Sequence, residues 1–212
     1  MSHGFFLVVE GPEGAGKTTL AKGLAAKLRT AGIDPVPVRE PGGTPVAERI
    51  RSVLLDPEHH IEPVSELFLF LAARGDLTAR VIRPALAAGR TVLADRFQLS
   101  TEAYQCGGRG VEPSLFMQAN RAATGGLDPD LTLVLDLPIE VGFERIRAAG
   151  VGLDRIEQAG PAFHTRVAEV FRRAVGPGIV HLDAMLPSEQ VLLTAWGEVM
   201  ARHPGARGGH RD

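Results

Sequence analysis

The chain has 212 residues, of which 44 % are apolar and 23 % are charged, with 23 Lys and Arg against 25 Asp and Glu. This length favours one domain with a single core, and the net charge of −2 argues against a strongly basic nucleic-acid binder. No apolar run approaches the roughly 18 residues of a membrane span, and the one cysteine, Cys106, excludes an intrachain disulfide and a zinc site built on several thiolates. No signal peptide is evident, so we expect a cytoplasmic protein.

Five short apolar runs are candidate strands. They span residues 5–9, 36–38, 91–95, 131–136 and 179–183. Most of them are continuous rather than alternating, which is typical of strands that are buried on both faces of a sheet. Pro37 cannot donate to a strand ladder, so the second run is expected at a sheet edge or a strand end.

Helical patterns fill the intervals between these runs. They cover residues 18–28, 46–55, 65–88, 113–123, 139–149, 161–174 and 188–201. The third pattern is expected to break near Pro84, because proline is unfavourable inside a helix. The alternation predicts an α/β domain over residues 1–202 with a mostly parallel sheet, in which ligands bind at the carboxyl ends of the strands. Residues 203–212 are rich in glycine and charge and are expected to form a disordered tail.

A phosphate-binding motif follows the first strand. Residues 11–18 match G-x-x-x-x-G-K-[ST] and precede a helix, so their backbone N–H groups can converge on phosphate oxygens. Lys17 is expected to bridge the β- and γ-phosphates of a nucleotide, and the Thr18 hydroxyl to hold Mg²⁺. The alternative is a glycine-rich turn that only caps a helix. The candidate nucleotide-binding residues are Gly11, Pro12, Glu13, Gly14, Ala15, Gly16, Lys17, Thr18 and Thr19.

Other segments narrow the class of nucleotide-binding protein. The chain has one asparagine, Asn120, and it is followed by Arg121, so the guanine-reading N-K-x-D motif of GTPases is absent. Asp95 ends a strand and can reach the Mg²⁺ shell, while Arg96 suits a second anion. The alternative is that Asp95 caps the next helix and Arg96 is a solvated charge.

Phe70 and Arg74 have the i, i+4 spacing of one helix face. A ring beside a guanidinium can stack on a base and bind its carbonyl edge. The spacing alone favours the alternative, in which Phe70 is a core residue and Arg74 is a surface side chain. Their context along the chain therefore decides between the two interpretations.

Several segments together resemble the bacterial thymidylate (dTMP) kinases. In family order they are Glu10–Thr19, Arg39–Thr44, Phe70–Arg74, Asp95-Arg96, Ser100–Gln105 with Gly108–Gly110, Asp154–Glu157 and Phe163-His164. The phosphate loop is generic, whereas Arg39-Glu-Pro-Gly-Gly-Thr44 together with Ala103-Tyr-Gln105 is specific to this family. The resemblance covers the chain from about Phe5 to the final helix. It implies a P-loop nucleoside-monophosphate-kinase-like α/β fold with a five-stranded parallel sheet flanked by helices. It also implies ATP-dependent phosphorylation of dTMP, Mg²⁺ as cofactor and a homodimer.

The resemblance also implies roles in the acceptor site. Phe70 would stack on thymine, and Arg74 would donate to the O4 atom of the base. Tyr104 would pack beneath the sugar and disfavour a 2′-hydroxyl, and Glu13 would lie near the 3′-hydroxyl. The other implied acceptor residues are Arg96, Arg51 and Arg39 for the monophosphate, and Ser100 and Gln105 for the base pocket.

A lid over ATP is expected at about residues 145–157. Members of this family carry a catalytic arginine either in the phosphate loop or in the lid, and the loop of this chain has none. The resemblance therefore implies the lid-arginine type, with Arg155 as the first candidate and Arg147 as the second. The other expected catalytic residues are Lys17, Arg96 and Glu13. Two alternatives stay open: a kinase that prefers another pyrimidine monophosphate such as dUMP, and a non-catalytic nucleotide-binding regulator.

Overall fold

A computed structural model describes residues 4–150 and 152–206. These residues form the strands β1 Phe5–Glu10, β2 Val36–Arg39, β3 Thr91–Asp95, β4 Leu131–Asp136 and β5 Ile179–Asp183. The α-helices are α1 Lys17–Thr30, α2 Pro45–Leu55, α3 Pro63–Leu77, α4 Arg83–Ala87, α5 Gln98–Thr101, α6 Pro113–Thr124, α7 Ile139–Ala149, α8 Pro161–Arg173 and α9 Ser188–Arg202. Two π-helical segments, Thr78–Ile82 and Glu102–Gly108, and two 3₁₀ turns, Glu157–Ala159 and Pro204–Ala206, are also present. Within the described ranges, no helix combines the length and hydrophobicity that crossing a membrane requires.

The strands form one parallel sheet in the order β2-β3-β1-β4-β5. This arrangement confirms the predicted α/β architecture, and β2, which contains Pro37, is an edge strand. β1 is central, with β3 on one side and β4 on the other. The loop that follows β1 therefore emerges at the carboxyl end of the sheet, between β3 on one side and β4 on the other. Ligands of open α/β sheets bind at this position, where the strand order reverses.

Successive side chains of β1 enter two cores on opposite faces of the sheet. Leu7 and Val9 pack against α1, including Leu24. Phe6 and Val8 pack on the other face with residues of α3, α4 and β3. Because each face of β1 is covered, the strand is an immobile base for the loop that begins at Gly11.

The helical pattern over residues 65–88 is not broken near Pro84, because the chain stays helical and only changes from α to π geometry before the proline. α3 ends at Leu77, a π-helical segment covers Thr78–Ile82, and α4 begins at Arg83. The backbone angles stay helical at Leu77, Thr78, Ile82 and Arg83. The Arg83 N–H donates to Thr78 O five residues back, so a π-helical turn just before Pro84 accommodates the proline without ending the helix. The second π-helical segment, Glu102–Gly108, was not predicted. It follows α5 directly and forms part of the site described below.

The folded chain extends beyond α9. His203 is 5 % exposed, its Nε2 atom lies 2.7 Å from Thr91 Oγ1, and its ring packs edge-on against Phe5. The Gly205 N–H donates to His203 Nδ1 at 3.0 Å, so Nε2 carries the ring proton and donates to Thr91. His203 therefore belongs to the folded domain, which corrects the start of the expected tail. Residues 207–212 lie outside the described residues.

Candidate active site

The loop after β1 has the backbone of a phosphate-binding loop. Gly11, Gly14 and Gly16 have φ angles of 141°, 70° and 91°, conformations that side-chain-bearing residues rarely adopt. The loop runs directly into α1, whose first N–H groups have no intrahelical partner. Lys17 Nζ donates to Pro12 O at 2.6 Å, so the side chain folds back over the loop. Burial, and then a neighbouring guanidinium, lower the pKa of Lys17 to about 8.

Two oxygen-bearing side chains meet beside this loop. Thr18, in the first turn of α1, donates through Oγ1 to Asp95 Oδ2 at 2.6 Å. A hydroxyl and a carboxylate fit Mg²⁺, which binds few protein oxygens and completes its shell with phosphates and water. No group of three or more His, Cys, Asp and Glu side chains within residues 4–150 and 152–206 could hold a metal ion. The two residues predicted from the sequence are thus placed together as a site shared with a nucleotide requires.

Two cavities adjoin at this end of the sheet. An open cleft of 840 Å³ contains the phosphate loop, and a cavity of 210 Å³ lies beside it. The smaller cavity is lined by most of the acceptor residues that the sequence implied, namely Glu13, Arg51, Phe70, Arg74, Arg96, Ser100, Tyr104 and Gln105. Both cavities are bordered by Glu13, Glu40, Arg51 and Arg96. A donor phosphate and an acceptor phosphate would meet at this shared wall.

Glu13 and Arg96 form the charged centre of the shared wall. Arg96 Nη2 donates to Glu13 Oε1 at 2.6 Å, and the Tyr104 hydroxyl donates to the same oxygen at 2.7 Å. Burial alone would raise the pKa of Glu13, but the charges of Arg96 and Lys17 outweigh it and hold that pKa at about 2. Glu13 is therefore ionised at neutral pH, and it fixes the guanidinium rather than serving as a proton acceptor.

The backbone of Arg96 is strained. Its φ angle of 74° is in the left-handed region, which costs a residue with a side chain about 1–2 kcal/mol. Its N–H donates to Val9 O at 3.0 Å, just beyond the last paired residue of β3. The guanidinium lies between Glu13 and Ser100, and Nη1 donates to Ser100 Oγ at 3.1 Å. Strain of this kind persists where surrounding contacts fix it, and it concentrates at functional sites.

Arg74 is a buried cation with a fixed orientation. It is 2 % exposed, so the surface interpretation of this residue is wrong. Its donors contact Glu40 Oε2 (Nε, 2.7 Å), Asn120 Oδ1 (Nη1, 2.9 Å), Phe97 O (Nη2, 3.0 Å) and Thr101 Oγ1 (Nη2, 2.8 Å). A guanidinium has five N–H donors, so one N–H on Nη1 is left for a ligand. Phe70, one turn earlier on α3, is half-buried and lines the same cavity.

Ser100 and Gln105 line the smaller cavity, and both donate hydrogen bonds to buried carboxylates behind it. Ser100 Oγ donates to Glu10 Oε2 at 2.5 Å, and the Ser100 N–H donates to Glu10 Oε1 at 3.1 Å. Burial raises the pKa of Glu10. Gln105 Nε2 donates to Glu66 Oε1 at 2.9 Å. These bonds hold the segment after β3 against β1 on one side and α3 on the other.

Arg155 lines neither the cleft nor the acceptor cavity. Its Nη2 atom forms an ion pair with Glu66 Oε2 at 2.6 Å, although the angle is not that of a hydrogen bond. Its Nε donates to Leu54 O at 2.7 Å and its backbone N–H to Leu55 O at 3.2 Å. The side chain is 10 % exposed. These contacts attach the second half of the expected lid to the end of α2 and to α3, beside the acceptor cavity.

The first half of the expected lid lies on α7, which touches the phosphate loop backbone to backbone. A Cβ atom added to Gly14 would collide with Gly142 O, and a Cβ atom added to Gly142 would collide with the carbonyl oxygen of Glu13. Arg145 and Arg147 of α7 are exposed. Arg145 Nη2 donates to Ala184 O at 3.0 Å, whereas the Arg147 side chain has no partner among the described residues.

The chain matches known proteins over most of its length. The family model described as thymidylate kinase matches residues 9–193. The chain belongs to the thymidylate kinase family. It is 45 % identical over 205 residues to the thymidylate kinase of Deinococcus radiodurans, covering 95 % of this chain and 99 % of that protein. It is 52 % identical over 174 residues to that of Pseudomonas entomophila, 82 % of each chain, and 51 % identical over 192 residues to that of Pseudomonas fluorescens SBW25, 89 % and 91 %.

Membership of the thymidylate kinase family confirms the fold and the enzyme class that the sequence implied. The structure brings most of the implied site residues to the two cavities. The implied residues that line neither cavity are Gly11, Pro12, Ala15, Arg147 and Arg155. Arg39 is exposed in the larger cleft, where its Nη2 pairs with Glu48 at 3.0 Å rather than lining the acceptor cavity. Arg155 is anchored to Glu66 rather than directed at the phosphate loop.

Sequence reasoning did not identify four buried polar residues that shape the acceptor site: Glu40, Glu66, Thr101 and Asn120. Glu40 lies inside the family-specific segment of residues 39–44, and Asn120 is the one asparagine of the chain. Either fact could have marked the residue as unusual. Neither could name its partner, since Arg74 is 34 residues from Glu40 and 46 from Asn120.

Proposed function

We propose that this protein transfers the γ-phosphoryl group of ATP to dTMP, which yields dTDP and ADP. The observation that carries the proposal is the wall shared by the two cavities, because Arg96 borders both the triphosphate cleft and the monophosphate cavity. Membership of the family and relatives named thymidylate kinase support the same reaction. An oxygen of the dTMP phosphate would attack the γ-phosphorus as the bond to the β–γ bridging oxygen breaks.

The acceptor cavity suits a pyrimidine deoxynucleotide. Phe70 would stack on the thymine ring, and the remaining N–H of Arg74 would donate to O4. Cytosine presents an amino donor at that position, so it would face a donor and be rejected. Tyr104 would pack beneath the sugar and disfavour a 2′-hydroxyl group. Arg51 and Arg96 would bind the acceptor phosphate.

Phosphoryl transfer depends on positioning and on stabilisation of negative charge. Lys17 and the backbone N–H groups of the loop would bind the β- and γ-phosphates. Thr18 and Asp95 would hold Mg²⁺, which when bound neutralises charge on the phosphate oxygens. Glu13 would keep Arg96 pointed at the acceptor phosphate through their 2.6 Å contact.

A lid arginine would supply a further positive charge. The sequence implied Arg155 as the first candidate and Arg147 as the second. In this proposal Arg147 is the catalytic arginine and Arg155 has a structural role. Arg155 would anchor the lid through Glu66, and Arg147, which is exposed and unpaired among the described residues, would reach the transferred phosphoryl group. An arginine of this kind is worth about 10³–10⁵ in rate.

We also propose a homodimer that forms through α3 and α6. The two helices pack together through Leu67, Leu71 and Phe116. On their outer faces Phe68 and Met117 are 50 % and 60 % exposed, and large exposed apolar side chains on neighbouring helices are typical of a subunit interface. Because ATP and dTMP are intracellular metabolites, the enzyme would act in the cytoplasm.

A coupled assay of ADP release tests the reaction. It would use ATP, Mg²⁺ and a panel of monophosphates that includes dTMP, dUMP and dCMP, with Lys17→Ala as the inactive control. We expect the highest kcat/KM with dTMP, about 10- to 200-fold above dUMP, since one methyl group in an apolar pocket is worth about 1–3 kcal/mol. A preference for dUMP would favour the alternative kinase. ATP binding without ADP release for any acceptor would overturn the enzyme assignment and favour a regulator.

A further inference from the structure

A chain of hydrogen bonds leads from Arg74 out of the acceptor cavity. Arg74 Nη1 donates to Asn120 Oδ1 at 2.9 Å, Asn120 Nδ2 donates to Gln98 Oε1 at 3.0 Å, and Gln98 Nε2 donates to Asp128 Oδ1 at 3.1 Å. We name Asn120, Gln98 and Asp128 the amide relay. All three residues line a separate cavity of 630 Å³, so the relay crosses the wall between that cavity and the acceptor site.

The two ends of the amide relay determine its direction. A guanidinium offers only donors and an ionised carboxylate only acceptors, whereas each amide has one donor side and one acceptor side. Next to Asp128, Gln98 must present its NH₂ group, which leaves its oxygen for Asn120. Asn120 must then present its own NH₂ group to Gln98, which leaves Oδ1 for Arg74. An exposed carboxylate thus selects the orientation of a buried amide.

The partners of Arg74 are divided among its three nitrogens, and Asn120 holds the nitrogen that faces the ligand. Glu40 holds Nε, and Phe97 O and Thr101 hold Nη2. Asn120 is the hydrogen-bond partner of Nη1, and Nη1 carries the N–H that is left for a ligand. Because the guanidinium is planar, the bond to Asn120 Oδ1 acts together with the contacts at Nε and Nη2 to fix the direction of the remaining N–H, and Asn120 is the contact on the same nitrogen.

We propose that Asn120 and Gln98 are positioning residues for recognition of the base. They hold Arg74 so that its remaining N–H meets the acceptor oxygen at position 4 of the pyrimidine, and Asp128 maintains their orientation. This inference rests on the proposed function, because it assumes that a pyrimidine monophosphate occupies the acceptor cavity. It assigns a role to Asn120 of α6 and to Gln98, the first residue of α5, neither of which belongs to the motifs that predict the site.

The test inverts the polarity of the amide relay. In Asn120→Asp one oxygen of the new carboxylate still accepts from Arg74. The other oxygen needs a donor, so Gln98 must present its NH₂ group there and turn its own oxygen towards Asp128. Two acceptors then face each other. Adding Asp128→Asn supplies a donor at that point and restores the net charge of the unmodified chain. We expect Asn120→Asp to raise KM for dTMP about tenfold with KM for ATP unchanged, and the double variant to recover most of the loss.

The controls separate this inference from the proposed function. Gln118→Glu makes the same amide-to-carboxylate change at an exposed position of α6 and should leave both KM values unchanged. Absence of dTMP phosphorylation by the unmodified protein would overturn the proposed function. Phosphorylation by the unmodified protein, together with an unchanged KM for dTMP in Asn120→Asp or no recovery in the double variant, would overturn the amide relay. Calorimetric titration of dTMP should show the same pattern in affinity without turnover.

A second pair of variants covers the case in which Asn120→Asp unfolds. Gln98 is half-buried whereas Asn120 is buried, so Gln98→Glu places the new charge closer to solvent. It places a carboxylate beside Asp128, and Asp128→Asn relieves that contact. We expect the same rise in KM for dTMP and the same recovery. Equal KM values for dTMP in the unmodified, single and double variants would contradict the proposal.

Discussion

Arg155 Nη2 lies 2.6 Å from Glu66 Oε2, and this ion pair joins the expected lid to helix α3. The other oxygen of Glu66 accepts from Gln105 at 2.9 Å and pairs with Arg109 at 3.1 Å. One buried carboxylate therefore connects the lid segment, the acceptor loop and α3. Withdrawal of Arg155 would remove a cation from a carboxylate that water does not reach, so the ion pair favours the lid position described above.

Two alanine variants distinguish anchoring from catalysis. Arg155→Ala should lower the free energy of unfolding by about 1–3 kcal/mol, because it leaves Glu66 with one cation fewer, and should retain most of kcat. Arg147→Ala should leave stability unchanged and lower kcat by about 10³. Urea unfolding and steady-state kinetics measure both quantities. Unchanged stability with a large loss of kcat in Arg155→Ala would return Arg155 to the catalytic role that the sequence implied.

Binding of Mg²⁺–ATP should take up protons at alkaline pH. The pKa of Lys17 is about 8 in the free protein, because burial and Arg96 disfavour the charged form. A bound triphosphate stabilises that charged form and raises the pKa, so uptake is expected near pH 8.5 and little is expected at pH 7. Calorimetric titrations in buffers of different ionisation enthalpy measure the uptake. Lys17→Met should remove it and lower turnover at least about 10²-fold, and equal uptake at both pH values would contradict this interpretation.

Truncation at two points tests where the folded domain ends. A protein that ends at residue 206 keeps every contact among the described residues and serves as the reference. A protein that ends at residue 202 loses the His203 ring from Phe5 and leaves the buried Thr91 hydroxyl without its partner. Its free energy of unfolding should fall by about 1–3 kcal/mol. Equal thermal stability of the two truncated proteins would show that His203 contributes nothing.

His181 and His203 should give opposite dependences of stability on pH. Burial alone would lower the pKa of His181, but the Ala174 carbonyl at 2.7 Å and the Asp136 carboxylate at 2.9 Å outweigh it and raise that pKa. Its stabilisation is present below about pH 6.5 and is lost as pH rises through the higher folded pKa. Burial lowers the pKa of His203, so its stabilisation is present above about pH 6.5 and is lost as pH falls. Urea unfolding of His181→Gln and His203→Gln from pH 5 to 9 measures the two slopes, and parallel changes would contradict the assignment.

The strands and most helices could be predicted within about two residues, because they are continuous apolar runs or amphipathic patterns bounded by Pro and Gly. α5 and the π-helical segment after it could not be predicted, since the apolar residues of 98–108 follow neither the helical period of about 3.6 residues nor the strand period of two. The phosphate loop was predictable because its geometry is local. The environment of Arg74 was not, because it depends on residues far along the chain that meet only when α3 packs against α6. The contact of Arg155 with Glu66 is likewise a long-range pairing, so the position of Arg155 in the sequence does not predict it.

Gly14 and Gly142 leave no layer of side chains between the phosphate loop and α7. Contacts through side chains can absorb a small displacement by a change of rotamer, whereas two backbones in direct contact cannot. Any displacement of the loop would therefore press directly on the start of α7. The spacing between the phosphate loop and the helix that carries Arg145 and Arg147 is thus set by backbone alone, and one added methyl group at either glycine would force the two apart.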